Sequence, residues 1–262
     1  MLEYGIMRPY SNISCFSTTR HGGCGEGTYA TFNCTHYCGD NPEHVKANLE
    51  FVQAFLKNAK ANQGKRADVF IIPRQTHTTN VRIVTDNLKP EDLQDVDAVV
   101  TSLKGHCLCV STADCIPVLL YDKVKLVIAA IHAGWRGTVG RIVEKTIDVM
   151  KSHFGTEGKD LVACIGPGIS LASFEVGDEV YAAFAEAGFD MDLIARKYEK
   201  WHLDLWEANR LQLLAKGVLP EHIEVAGICT YQHHEDFFSA RRLGIKSGRI
   251  LSGIMMNETI EI

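Results

Sequence analysis

The chain has 262 residues, of which 46% are hydrophobic and 23% charged. That length and composition exclude a small cystine-stapled scaffold and a disordered chain. A formal charge of -5 gives no general electrostatic reason to bind nucleic acid or an anionic membrane. The aliphatic run Leu126 to Ile131 is far too short to span a bilayer, and Met1-Leu2-Glu3-Tyr4 lacks the charged and apolar regions of a secretory signal. A cytoplasmic location is therefore expected, where nine cysteines point to buried thiols, a nucleophile or metal ligands before disulfides.

No repeat or linker divides the chain, so one domain over residues 1–262 is expected. The first forty residues, rich in Gly, Cys, Ser and Thr, predict short strands and loops. Asn41-Pro42-Glu43 supplies an N-cap and a proline at the first helical position, predicting a helix to about Lys60 with Val45, Leu49, Val52 and Leu56 on its apolar face. Strands are predicted at Val69 to Ile72, Val81 to Val84, Val99-Val100, Cys107 to Val110, Ile116 to Leu120 and Leu126 to Ile131. After Gly134-Trp135-Arg136-Gly137 comes a helix with Val139, Ile142, Val143, Thr146, Ile147 and Met150 on one stripe. A strand at Leu161 to Ile165, a loop at Gly166-Pro167-Gly168 and a helix from Asp178 to Ala187 follow. Asp204 and Glu207 form a capping box for a helix ended by Gly217, before strands at Ile223 to Ile228 and Ile250 to Met255. Helices and strands mix without regular βαβ alternation, which predicts an α+β fold of mixed sheets with flanking helices, layered α/β/β/α.

Three strand ends carry soft or borderline metal ligands: Gln75-Thr76-His77, Ala113-Asp114-Cys115 and His132-Ala133-Gly134. One thiolate and two imidazoles suit Zn²⁺, and three ligands with an open fourth position are the catalytic arrangement. Separations of 38 and 17 residues match no short metal motif, so by spacing alone the metal signal is weak and ordinary buried Cys and His are the simpler reading. Cys34, His36 and Cys38 are a second set, sharing one side if that segment is extended, able to take copper or zinc or to be structural. Cys107 and Cys109 suit packing in an apolar strand. Adjacent His233 and His234 suit a loop.

Thr19-Arg20-His21-Gly22-Gly23, Gln75-x-His77, Thr112-Ala113-Asp114-Cys115-x-Pro117-Val118, His132-Ala133-Gly134-Trp135-Arg136-Gly137, Gly166-Pro167-x-Ile169 and Phe174-Glu175-Val176-Gly177 follow one another in order. With Phe238-Ser239-Ala240-Arg241-Arg242 near the end, the chain resembles the multicopper polyphenol oxidoreductase (laccase-like) family, also described as a purine nucleoside phosphorylase family. Ala240 stands where that family often has an aromatic residue.

The resemblance implies that His77, Cys115 and His132 are zinc ligands and catalytic. Asp114 would orient a ligand, take a proton or simply cap a turn. Arg20 and Arg136 would clamp phosphate, since a guanidinium offers two parallel hydrogen bonds to its oxygens, with Arg241 and Arg242 adding to the anion site. Phe174 and Trp135 would wall the pocket or close the core, and Glu175 is a candidate proton carrier. The implied activity is phosphorolysis of adenosine, inosine, guanosine and methylthioadenosine, and deamination of adenosine. The alternatives are a copper-dependent polyphenol oxidase, a metal-free cysteine hydrolase built on Cys115, and a binding module without turnover. The expected partners are a purine nucleoside and phosphate, with no nucleic acid or membrane, acting on a monomer or small homo-oligomer.

Overall fold

The computed structural model describes residues 1–58 and 69–257. In chain order the elements are β1 (Leu2–Glu3), β2 (Ile13–Ser17), α1 (Pro42–Asn58), β3 (Val69–Ile71), β4 (Val81–Ile83), β5 (Ala98–Thr101), β6 (His106–Thr112), β7 (Ile116–Asp122) and β8 (Val127–Ala133). Next come α2 (Trp135–Val139), α3 (Ile142–Phe154), β9 (Leu161–Ile165), β10 (Glu175–Val176), α4 (Asp178–Glu186), α5 (Met191–Ile194), β11 (Ala195–Lys197) and β12 (Trp201–Leu203). The last are α6 (Leu205–Ala215), β13 (Ile223–Val225), α7 (Ala240–Leu243) and β14 (Ile250–Met256).

Two large mixed sheets, ordered β1-β2-β14-β6-β3 and β13-β9-β7-β8-β5-β4, stack face to face. Alternation along β7 and β8 explains the stacking. Leu119, Tyr121, Ile128 and Ala130 face the first sheet and pack with Leu108, Val110 and Ile254, whereas Val118, Leu120, Ala129 and Ile131 face α3 and α6. Because both faces are covered, every residue of β7 and β8 is buried, and the strands read as continuous apolar runs. Val52 and Leu56 of α1 close the outer face of the first sheet against Phe16, Cys107, Cys109 and Leu251. The expected α/β/β/α layering is therefore what forms.

Several boundaries differ from expectation for local reasons. Asn41 does start α1, its side chain accepting the Glu43 amide, and the helix runs to Asn58; the expected end at Lys60 lies outside the described residues. The helix after Gly134 is broken in two, because Arg141 takes a left-handed φ of 62° between α2 and α3. The strand from Ile223 stops at Val225, just before Gly227 turns at φ 64°. Cys34, His36 and Cys38 do not share a strand side: the segment is a loop and turn in which Cys34 is buried under α1, His36 is exposed and the Cys38 thiol donates to the Thr35 carbonyl. A small sheet, β10-β12-β11, was not expected; its strands of two or three residues are too short for periodicity to show.

Candidate metal centre

The site forms at one end of the second sheet, where β8 ends and β7 begins. Antiparallel pairing of these strands sets Ile116 opposite Ala133 and Pro117 opposite His132, which brings Cys115 and His132 together. His77 arrives from a loop after β3. Where that loop leaves the sheet, the Gln75 side-chain amide takes over the ladder: its Nε2 donates to the Ser111 carbonyl at 2.8 Å, and its Oε1 accepts the Ser111 amide at 2.7 Å.

His77, Cys115 and His132 each turn one ligand atom into a cluster whose members lie within 4.8 Å of one another. Cys115 Sγ is 3.7 Å from His77 Nε2, and the two imidazole rings meet edge to face at 4.9 Å. His132 is buried and His77 is exposed, so the cluster has a closed side and an open one. It is the one such group among the described residues.

A buried carboxylate not foreseen from the sequence organises this cluster. Asp97, at the entrance to β5, accepts His132 Nδ1 at 2.7 Å and the His77 amide at 3.0 Å on one oxygen. Its other oxygen accepts the Thr78 hydroxyl at 2.7 Å, the Thr78 amide at 2.8 Å and the Thr76 amide at 3.3 Å. These bonds wrap residues 76–78 around the carboxylate and hold His77 at φ 65°, a conformation uncommon outside glycine. Burial alone would raise the Asp97 pKa, but the hydrogen bond and charge of His132, with the Thr78 donors, bring it down to about 2. Burial likewise opposes ionisation of Cys115, yet the adjacent His132 and His77 lower its thiol to about 6. Burial would lower His132, and Cys115 with Asp97 instead raise it to about 9. Without a metal the pair therefore favours thiolate and imidazolium. The sequence signal for Asp97 was only an acidic residue at the head of an apolar run.

Gly134 closes the cluster from behind: a Cβ there would stand 2.8 Å from His77 Cδ2 and 3.0 Å from Cys115 Sγ. This packing, rather than turn geometry, explains the glycine, since its φ of -68° suits any residue.

The other predicted residues fall into distinct places. Asp114 sits at φ 82° beside Cys115, with one carboxylate oxygen on the Thr230 hydroxyl at 2.8 Å and the other on the Arg241 amide at 2.7 Å. Both oxygens thus tie the C-terminal segment to Asp114, while the carboxylate bonded to His132 is that of Asp97. Arg241 crosses the Phe174 ring at 5.3 Å and donates to the Glu175 carbonyl, joining these three residues on one side of Asp114. The Glu175 side chain itself pairs with Lys200. Arg242 lies over the Tyr231 ring. Arg136 is exposed on α2, stacked on Trp135 at 4.3 Å, with no hydrogen bond or ion pair to another side chain among the described residues. Arg20 donates from Nε to the Ala30 carbonyl and from Nη1 to the His234 carbonyl, and packs over Phe238, so it clamps these loops. His233 and His234 lie in a turn, as expected.

Fold and cluster together define a four-layer α+β protein with a His-Cys-His cluster at its strand ends that could hold a metal ion. The chain belongs to the family described as multi-copper polyphenol oxidoreductase laccase, whose model matches residues 14–257. It is 55% identical to a purine nucleoside phosphorylase of Bacteroides thetaiotaomicron, over 98% of this chain and 97% of that protein. It is also 39% identical to adenosine deaminase RL5 of an unknown prokaryotic organism, over 92% of this chain and 93% of that one. The crystal structure of the hypothetical protein YfiH of Bacillus licheniformis superposes with a TM-score of 0.86 at 28% identity, covering 95% of this chain and 94% of that one. These relatives support a nucleoside-processing enzyme. No helix among the described residues is long and apolar enough to cross a membrane.

Proposed function

We propose that the protein is a zinc-dependent purine nucleoside enzyme, cleaving adenosine, inosine, guanosine and methylthioadenosine with phosphate and deaminating adenosine to inosine. The observation that carries the reading is the convergence of Cys115 Sγ with the His77 and His132 imidazoles on one half-open cluster. That donor set fits the metal: one soft thiolate and two imidazoles, with His132 Nδ1 already engaged by Asp97, match an open three-ligand zinc site. Zinc, when bound, supplies a Lewis acid and makes water more acidic. The names of the two relatives, one a phosphorylase and one a deaminase, support both activities on this scaffold.

The chain's own residues divide the remaining work. Arg136, exposed and without a polar side-chain partner among the described residues, holds phosphate by paired hydrogen bonds while the N-glycosidic bond opens. Phe174 walls the substrate pocket, with Arg241 fixed across its ring and Asp114 holding the Arg241 amide. The reading takes residues 1–262 as one domain acting on small molecules in the cytoplasm, as a monomer or small homo-oligomer.

The test is elemental analysis of the purified protein with an adenosine-plus-phosphate assay that follows adenine, ribose 1-phosphate and inosine. Bound zinc and nucleoside turnover are expected together, and both are lost in a folded Cys115→Ala protein. Full turnover by metal-free Cys115→Ala overturns the proposal. Turnover in metal-free native protein, abolished by thiol alkylation, supports a cysteine hydrolase instead, for which the 3.7 Å approach of Cys115 to His77 is suitable geometry. Phenol oxidation that appears only on copper loading supports an oxidase.

A further inference from the structure

We propose that Asp97 is the positioning residue that assembles the metal centre, one carboxylate setting both imidazole ligands; this assignment rests on the metal reading above. The first arm is the bond from His132 Nδ1 at 2.7 Å, which fixes the tautomer and leaves Nε2 as the ring's ligand atom. The second arm works through backbone. The amides of Thr76, His77 and Thr78 and the Thr78 hydroxyl all donate to the same carboxylate, so the loop that carries His77 is folded around it. A third bond closes the arrangement, as the His132 amide donates to the Asp97 carbonyl at 2.7 Å.

Every neighbour of the Asp97 carboxylate is a donor, and that makes the residue type specific. Asparagine has the same shape but presents an oxygen on one side and an NH₂ on the other. In either orientation its NH₂ meets donors: His132 Nδ1–H and the His77 amide, or the amides and hydroxyl of Thr76 and Thr78. One imidazole ligand loses its anchor whichever way the amide turns. His77 and His132 lie 20 and 35 residues from Asp97; Asp95 also accepts the Thr76 and Thr78 hydroxyls, but the bond to His132 Nδ1 is made by Asp97.

The experiment loads native protein, Asp97→Asn and Thr78→Val with zinc and measures its release to a chelator. Cobalt-loaded samples report thiolate and imidazole ligation by absorption, and nitrogen NMR of histidine in the zinc-loaded native protein identifies the ligating ring atom of His132. Zinc affinity is expected to fall about 10–100-fold in Asp97→Asn, the range typical of outer-sphere carboxylates, with an altered cobalt spectrum. Thr78→Val keeps the His132 arm and is expected to fall between the two. In the native protein His132 should ligate through Nε2 with its proton on Nδ1. Native release and an unchanged cobalt spectrum in Asp97→Asn, or ligation through His132 Nδ1, overturns the assignment while the metal reading stands. If Asp97→Asn does not fold, either native-like release from Thr78→Val or ligation through His132 Nδ1 overturns it. Native protein that takes up no zinc removes the metal reading and this assignment together.

Discussion

Gly134→Ala tests whether the cluster works as a packed unit. Backbone strain plays no part, because φ -68° and ψ 169° are open to alanine. The added methyl would lie 2.8 Å from His77 Cδ2 and 3.0 Å from Cys115 Sγ. Ordinary carbon contacts are about 3.5–4.0 Å, so the imidazole must retreat by about 0.7 Å or more. His77 is exposed and can swing outward, which relieves the clash at the expense of the ligand position. Zinc geometry tolerates displacements of only about 0.2 Å. Affinity is therefore expected to drop about 10–100-fold, equivalent to about 1.4–2.8 kcal/mol, while overpacking costs the fold no more than about 1–3 kcal/mol. Competition with a metal chelator measures the first quantity, and urea unfolding of the metal-free protein the second. A variant with native zinc affinity and nucleoside turnover would show that the three side chains do not share one ion.

Three other substitutions probe separate features. Arg136→Ala is expected to raise the KM for phosphate about 10-fold or more, since charged hydrogen bonds contribute about 1.5–3 kcal/mol, with zinc content unchanged; an unaltered phosphate KM removes Arg136 from the anion site. Gly158→Ala would drive a Cβ into the Lys216 carbonyl oxygen and set it 2.7 Å from the Gly217 carbonyl carbon, backbone that cannot step aside. Its melting temperature should fall by about 4–10 °C with the zinc site intact, and calorimetry that finds no drop contradicts this packing. The Tyr4 hydroxyl is buried and bonded to Ser17 at 2.7 Å; burial, with Cys15, Cys164 and Glu224 nearby, pushes its pKa well up against the opposing Ser17 bond. The unfolded chain ionises Tyr4 near pH 10 while the folded one keeps the proton, so its contribution is complete below that pH and is lost above it. Urea midpoints of Tyr4→Phe should accordingly fall less between about pH 9.5 and 11 than those of the native protein, and parallel curves refute the linkage.

Much of the architecture was legible before any coordinates because its signals are local. The stripe Ile142, Val143, Thr146, Ile147 and Met150 is buried on α3 as its spacing requires, and the apolar runs of β7 and β8 became central strands covered on both faces. Asn41-Pro42 started α1 and Asp204 capped α6, accepting the Glu207 amide. Where the extended geometry failed, a side-chain turn within the segment decided. Period-two spacing suggested one face for Cys34, His36 and Cys38, but Asn33 and Thr35 turn the chain there through their own side-chain and backbone bonds.

Residue type and motif order by themselves determined the family and the layered mixed fold, because those are carried by short segments, and the resemblance pointed to the three side chains that the fold then brings together. Only the tertiary structure decided how the segments act on one another. It placed Asp97 beneath both histidines, spent Arg20 on loop carbonyls, turned the Asp114 carboxylate toward Thr230 and Arg241, and left Arg136 exposed. Each outcome depends on hydrogen-bond donors and acceptors meeting across long stretches of chain. A carboxylate's role is set by the donors that fold around it, and no spacing within its own segment records them.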